Sequence, residues 1–403
     1  MYLRSLVSDT PASATKEVAR RAAKLRAEGR RIIDLSLGEL DFDTPQHIRD
    51  AAVEAIGAGL TRYTPVAGIE PLRVAACEWL RKNRGARYEP GNVVVGCGAK
   101  QLLFNSLFVS LEPGDEVIVP APYWVSYPAM TSLCGGTPKV LRTGERSAFK
   151  MRPEDLEAAI TSRTRWLILN SPCNPTGAVY SRSELGALSE VLLRHPQVGV
   201  ISDEIYAPLV YGDADAPSIV AVEPLLSERT ILVTGVSKAF AMTGWRVGVG
   251  AGPADLMAAI SKTQSQSTSH TSSISQAAAT AAFDGDQGCV ETFRAALERR
   301  RDLLFGLLMD IDGLSIVKPD GAFYLFVSVQ GVIGRKTPGG ESLHSDVDVA
   351  NHLLTDYGLA TVPGAAFGMS PYVRLSFAAS DDALREGAQL LQDAVGVDRC
   401  LRD

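Results

Sequence analysis

The sequence predicts an α/β protein: a large, mostly parallel sheet covered by helices on both faces, followed by a smaller α+β module. Three observations predict this. Short apolar runs such as Val93-Val94-Val95, Trp166-Leu167-Ile168-Leu169 and Ile231-Leu232-Val233 alternate with helical patterns, as in a sheet buried on both faces. The alternation breaks after about Gly288. At 403 residues the chain is too long for one ordinary domain and suits about two.

The elements follow in order. Residues 15–29 read as a helix, with Val18, Ala22 and Leu25 at helical spacing and Gly29 as the stop. Residues 32–37 read as a short strand running into the loop Gly38-Glu39-Leu40-Asp41-Phe42. Thr44-Pro45 opens a helix that runs to about Gly59, because proline is tolerated in a first helical turn. Residues 71–83 form another. Strands at 93–95, 116–119, 166–169, 199–202, 231–234 and 247–251 are interleaved with helices at 100–111 and 183–194.

Beyond Gly288 a long helix at 291–309 carries Arg299-Arg300-Arg301. Glu298 and Asp302 flank the triplet, so it reads as a solvated helix face rather than a nucleic-acid patch. Strands near 322–327 and 373–377 complete the α+β module. Residues 331–341, rich in Gly, Pro and Lys, read as a mobile surface loop.

Bulk properties narrow the function. Apolar residues make up 46% and charged residues 21%, which suits a large core. A net charge of −6 argues against a general nucleic-acid binder but leaves room for a locally positive pocket. Cys77, Cys97, Cys134, Cys173, Cys289 and Cys400 form no CxxC pair and read as reduced thiols. The first seven residues lack the apolar stretch of a signal peptide, and no apolar run approaches the roughly 18 residues of a membrane span. The expected location is the cytoplasm, with no membrane and no nucleic-acid partner.

Chemistry concentrates at strand ends, where parallel α/β sheets place ligands. The strand at 93–95 ends in Gly96-Cys97-Gly98-Ala99-Lys100, a small-residue turn into a helix N-terminus that suits an anion. The strand at 166–169 leads to Asn174-Pro175-Thr176-Gly177, and that at 199–202 to Asp203-Glu204-Ile205-Tyr206. The strand at 231–234 leads to Ser237-Lys238, with Arg246 following Met242-Thr243-Gly244-Trp245. A lysine at a strand end, where a pocket can desolvate it, suits a Schiff-base lysine, and an arginine can fork onto a phosphate. Each residue alone has an ordinary explanation: a turn for Asn174, a helix cap for Asp203, core for Tyr206. All in this order are hard to explain that way.

The stretches named above resemble those of fold-type I pyridoxal phosphate (PLP) enzymes, specifically class I aminotransferases of the bacterial aspartate aminotransferase group. So do Tyr63-Thr64-Pro65-Val66-Ala67-Gly68, Pro122-Tyr123-Trp124-Val125-Ser126-Tyr127-Pro128, Gly321-Ala322-Phe323-Tyr324 and Val373-Arg374-Leu375-Ser376. The resemblance covers nearly the whole chain. It implies a large PLP-binding domain at 47–290 and a small domain formed by both chain ends, 1–46 and 291–403.

It also implies roles. Lys238 would bind the cofactor covalently and shuttle the proton, while Asp203 would keep the pyridine nitrogen protonated. Tyr206 and Asn174 would bond the ring's phenolic oxygen, and Trp124 would stack on the ring. Gly98, Ala99, Ser237 and Arg246 would hold the phosphate, with Lys100 beside them. Arg374 would grip the substrate α-carboxylate, aided by Asn174, Trp124 and the backbone at Gly38. Lys100 would meet a second substrate carboxylate. Tyr63 would reach the cofactor phosphate of a partner subunit, making a homodimer with shared sites. No metal is implied.

The sequence departs from the group in three places. Leu40 replaces the usual proline in Gly-Glu-Pro-Asp-Phe, near the substrate. His270 falls where relatives often have asparagine or a small residue, and reads as a satisfied surface histidine rather than a contact to a partner's site. Residues 9–13 hold no lysine, where relatives that also use prephenate carry one, which weighs against that side activity. The expected reaction moves an amino group from aspartate or glutamate to 2-oxoglutarate or oxaloacetate. The rivals are another PLP reaction on this scaffold (a lyase, a γ-replacement or an amino-acid oxidase) and a non-catalytic PLP-binding regulator. The second would need an added DNA-binding domain, and no basic N-terminal helix pair is present.

Overall fold

A computed structural model describes residues 5–8, 10 and 13–395. Most of the signal-peptide stretch, three of the five residues at 9–13, and Cys400 lie outside the described residues.

Thirteen strands are described, in chain order β1 (Ile33–Asp34), β2 (Val93–Cys97), β3 (Glu116–Ala121), β4 (Thr137–Arg142), β5 (Thr164–Asn170), β6 (Gly199–Asp203), β7 (Thr230–Gly235), β8 (Val247–Ala251), β9 (Ser315–Ile316), β10 (Tyr324–Ser328), β11 (Leu359–Ala360), β12 (Val362–Pro363) and β13 (Tyr372–Ser376). A seven-stranded sheet runs β2-β8-β7-β6-β5-β3-β4. Its pairs are parallel except the two made by β8, which lies antiparallel to β2 and β7.

The alternation of side chains along each strand divides the core into two layers. Val93, Val95, Leu167, Leu169, Val200 and Leu232 face one layer, with the helices Glu70–Arg84, Arg182–Arg194 and Ser273–Asp284. Val94, Ile168, Ile201, Ile231 and Val233 face the other, with Ala99–Phe108 and Ala254–Ser265. β6 and β7 are buried at every residue, which is why they read as unbroken apolar runs.

The rest of the chain builds a four-stranded antiparallel sheet, β12-β13-β10-β9, under the helices Gly288–Leu308, Asp346–Thr355 and Asp381–Val395. Parallel pairing of β1 with β11 ties the N-terminal segment to this region.

Several sequence expectations need correction. The strand expected at 32–37 stops at Asp34, whose Oδ1 accepts hydrogen bonds from the amide and hydroxyl of Ser36 and turns the chain. β4 and the helices Ser126–Leu133 and Pro153–Ala159 escaped the sequence reading. β4 is an edge strand with only Leu141 buried, so it carries little apolar pattern. The arginine triplet is not a solvated face, because Arg300 and Arg301 are buried. Arg300 forks onto Asp41 at 2.7 and 2.9 Å and lies over Phe42, whereas Arg301 donates to the Pro319 carbonyl. Residues 331–341 are a largely exposed loop, as expected, and carry internal hydrogen bonds. Thr337 donates to the Glu341 carbonyl at 2.8 Å, and Lys336 bridges to Ser342. Among the described residues no helix is long and apolar enough to cross a membrane.

Candidate active site

A cavity of about 590 Å³ opens at the carboxyl edge of the seven-stranded sheet. Gly38, Ala99, Lys100, Trp124, Asn174, Asp203, Tyr206, Ser237, Lys238, Arg246 and Arg374 all line it. Eleven expected residues, scattered from 38 to 374, therefore meet in one place. Gly98 sits beneath them at the start of the helix Ala99–Phe108. Tyr63 does not reach this cavity: it stands 92% exposed on the surface of its own chain.

One wall suits a phosphate. The helix Ala99–Phe108 has no side-chain cap, so its first N–H groups are free for an anion. Gly98 has φ +78°, a conformation that favours glycine, and a Cβ there would stand 2.2 Å from Arg246 Nη2 and push the guanidinium aside. Gly248 plays the matching part below, since its Cβ would stand 2.3 Å from the Ala99 amide. Arg246 itself is held in the left-handed region at φ +57° and donates to the Thr243 carbonyl at 2.9 Å.

The floor suits a cationic ring nitrogen. Asp203, at the end of β6, is only 4% exposed. Its Oδ2 accepts from the Tyr127 hydroxyl at 2.7 Å and its Oδ1 from the Ile205 amide at 3.3 Å. Burial outweighs these bonds and lifts its pKa to about 6. Lys238 shows the converse: burial draws its pKa down to about 8, a poise suited to a nucleophilic amine. Its Nζ donates to the Gly38 carbonyl at 2.5 Å. The Tyr206 hydroxyl bonds that of Tyr324 at 3.0 Å.

The far wall suits a carboxylate. Arg374, on β13, is 2% exposed and donates to Asn174 Oδ1 at 2.9 Å and the Ser36 carbonyl at 2.7 Å. Its guanidinium stacks on Tyr324, 4.2 Å from the ring centre. Its Nε is buried without a partner, and among the described residues no carboxylate pairs with it. An uncompensated buried cation is costly, so this wall is built for an anionic ligand. Asn170 aligns the approach: its Oδ1 accepts from the Asn174 amide and its Nδ2 donates to the Asp203 carbonyl, both at 2.9 Å.

Sequence reasoning missed four residues here. Tyr127 and Tyr324 lay in stretches already singled out, but nothing local marked their hydroxyls as partners of Asp203 and Tyr206. Glu39 and Lys16 also line the cavity. Lys16 arrives on the helix Ala14–Ala27, three residues beyond the segment searched for a lysine, and no local pattern announces it. It adds to burial in depressing the pKa of Lys100, as does Arg246.

A buried lysine, a buried aspartate and a phosphate cup at the edge of such a sheet define a fold-type I PLP enzyme. Comparison with known proteins agrees. The model of the family "Aminotransferase class I and II" matches residues 30–391. An aspartate/prephenate aminotransferase of Cereibacter sphaeroides is 49% identical over 96% of this chain and 98% of its own. The crystal structure of the Rhizobium meliloti aspartate aminotransferase has a TM-score of 0.95 at 44% identity, covering 98% of this chain and 99% of that one. The Thermus thermophilus aspartate aminotransferase with maleate has a TM-score of 0.90 at 39% identity, with the same coverage. The chain belongs to the class I and II aminotransferases and is a PLP-dependent aminotransferase.

Proposed function

We propose that this aminotransferase acts on dicarboxylates, moving the amino group of aspartate or glutamate to 2-oxoglutarate or oxaloacetate. The observation that carries the reading is Arg374, a buried cation with an unpartnered Nε, in one cavity with Lys238 and Lys100.

The roles follow from position. Arg374 binds the α-carboxylate as a fork, and Asn174 keeps the fork oriented. Lys100, at the cavity mouth and 4.6 Å from the Trp124 ring, offers a point charge to the second carboxylate. Gly98, Ala99, Ser237 and Arg246 would hold the cofactor phosphate, Trp124 would cover the ring, and Tyr206 and Asn174 would bond its phenolic oxygen. When bound, PLP supplies an electron sink for the bonds at the substrate Cα. Asp203 keeps the ring nitrogen cationic, so that the sink is deep. Lys238 Nζ would hold and move the proton taken from the substrate Cα.

The family's relatives named above are aspartate or aspartate/prephenate aminotransferases, which supports the dicarboxylate reading. Prephenate is the second reading, favoured by Lys16, a further cation at the cavity that can meet a more distant carboxylate. Residues 47–290 carry the cofactor in this reading, and 1–46 with 291–403 bring Gly38 and Arg374 over it. The enzyme works in the cytoplasm as a homodimer in which Tyr63 reaches the partner's phosphate.

One substrate panel tests the reading. Each amino acid is added to the purified yellow protein, and conversion to the pyridoxamine form is followed spectroscopically. The reverse step is then run with 2-oxo acids, prephenate included. Aspartate and glutamate should convert fastest. A spectrum unchanged by either would defeat the proposal.

A further inference from the structure

Tyr63 is nine-tenths exposed, yet side-chain hydrogen bonds hold the chain that follows it, at Thr64, Val66 and Ile69. His270 Nδ1 lies 2.7 Å from the Thr271 carbonyl, an obligate acceptor, so Nδ1 carries the proton. Nε2 is then the acceptor for the Thr64 amide at 3.2 Å. The same imidazole meets the Tyr63 ring edge-on, with centroids 5.6 Å apart and planes at 90°. His270 can do this because Ser269 takes a left-handed turn at φ +62°, its amide bonded to the Gln264 carbonyl at 2.9 Å.

Two fully buried amides finish the clamp. Gln264 Nε2 donates to the Val66 carbonyl at 3.0 Å, and Gln276 accepts from the Ile69 amide at 2.7 Å while donating to Thr64 Oγ1 at 3.0 Å. Gly68, at φ +101°, lets the loop lie against Val95, whose Cγ2 would stand 2.5 Å from an added Cβ. Three side chains between 264 and 276 thus fix the loop that carries Tyr63, and one of them touches its ring. The buried amides satisfy the loop's own backbone, but the imidazole set against an exposed ring does not add to that core. It pre-orients the hydroxyl for something outside this chain.

We infer that His270 is a positioning residue for the active site across the dimer: it fixes the Tyr63 ring and the Thr64 amide so that the Tyr63 hydroxyl is aimed at the partner subunit's cofactor phosphate. The inference rests on the proposed role of Tyr63. His270 touches neither cofactor nor substrate and acts only through the loop.

The test is a double-mutant cycle on the intact dimer, read as the dissociation constant of pyridoxal phosphate from reconstitution of the cofactor-stripped protein. Y63F should weaken retention about tenfold, the loss of one charged hydrogen bond, and H270A about fivefold. H270A added to Y63F should cost nothing more, because the aimed hydroxyl is already gone. H270Q, whose amide oxygen can accept from Thr64, should recover most of the loss, and H270L, which accepts nothing from Thr64 but keeps the site filled, carries the cycle if H270A fails to fold. Additive losses, or a neutral H270A, overturn the inference and leave the role of Tyr63 standing. A neutral Y63F overturns both.

Discussion

The Tyr127 hydroxyl donates a 2.7 Å hydrogen bond to Oδ2 of Asp203, in a site where both side chains are buried. The bond does not offset burial, and the carboxyl still titrates near 6. Asp203 is therefore a strained anion in search of a cation, and the cofactor's ring nitrogen is the cation it suits.

A stability prediction follows for the cofactor-stripped protein. A carboxyl whose folded pKa is raised, from 3.8 to about 6, contributes stability below its unfolded pKa and loses it as pH rises through the folded one. Asp203→Asn removes the ionisation. At about pH 7.5 the stripped variant should exceed the stripped wild type by up to about 3 kcal/mol in denaturant unfolding. The difference should shrink as pH falls through about 6 and vanish below about 4. In the loaded enzyme the variant should lose about a hundredfold or more in turnover, as when a fixed electrostatic stabiliser is removed. Equal turnover would reduce Asp203 to a helix cap.

Lys238 makes the second prediction. In the proposed role its neutral amine is the nucleophile, and burial draws its pKa down from 10.5 to about 8. Covalent capture of pyridoxal phosphate by the stripped protein should accelerate as pH rises through about 8 and level off above it. A rate still climbing at pH 10 would show an ordinary solvated lysine. Lys238→Ala should keep the far-ultraviolet circular dichroism of the wild type and lose turnover completely.

Lys100 and Lys16 make the third. Lys100→Ala should raise KM for aspartate and glutamate about tenfold or more, the worth of one charged contact, and alter alanine or phenylalanine little. Lys16→Ala should do less to aspartate and more to prephenate, because it reaches the cavity from the outer helix. Equal damage to all substrates, with weaker cofactor binding, would assign Lys100 to the phosphate.

Shared sites make the fourth. Lys238→Ala subunits mixed with Tyr63→Phe subunits form hybrids in which one site has both lesions and the other has neither. Hybrids should therefore show one site of wild-type cofactor affinity per dimer. If the intact lysine instead keeps the weakened affinity of its own chain's Tyr63→Phe, the sites are not shared.

The mostly parallel sheet and the residues past its strand ends were legible in the amino-acid order alone. β5, β6 and β7 are buried on both faces, so their apolar runs are continuous, and the residues that end them face the ligand edge by the geometry of the fold. Asn174, Asp203 and Lys238 were legible for that reason, whereas Arg246, which precedes the antiparallel β8, was legible only through the resemblance of its stretch to the aminotransferases. The edge strand β4 was not, because its side chains meet solvent. Long-range packing alone sets which hydroxyl faces Asp203, that Lys16 enters the cavity, that Arg300 and Arg301 are buried, and that His270 touches Tyr63. Tyr127 and Asp203, Lys16 and Lys100, Arg300 and Asp41, and Tyr63 and His270 lie 76, 84, 259 and 207 positions apart, whereas Arg301 meets Pro319 across 18. No local pattern encodes such distances; packing around the shared core brings the partners together, and burial then shifts the pKa values on which the chemistry depends.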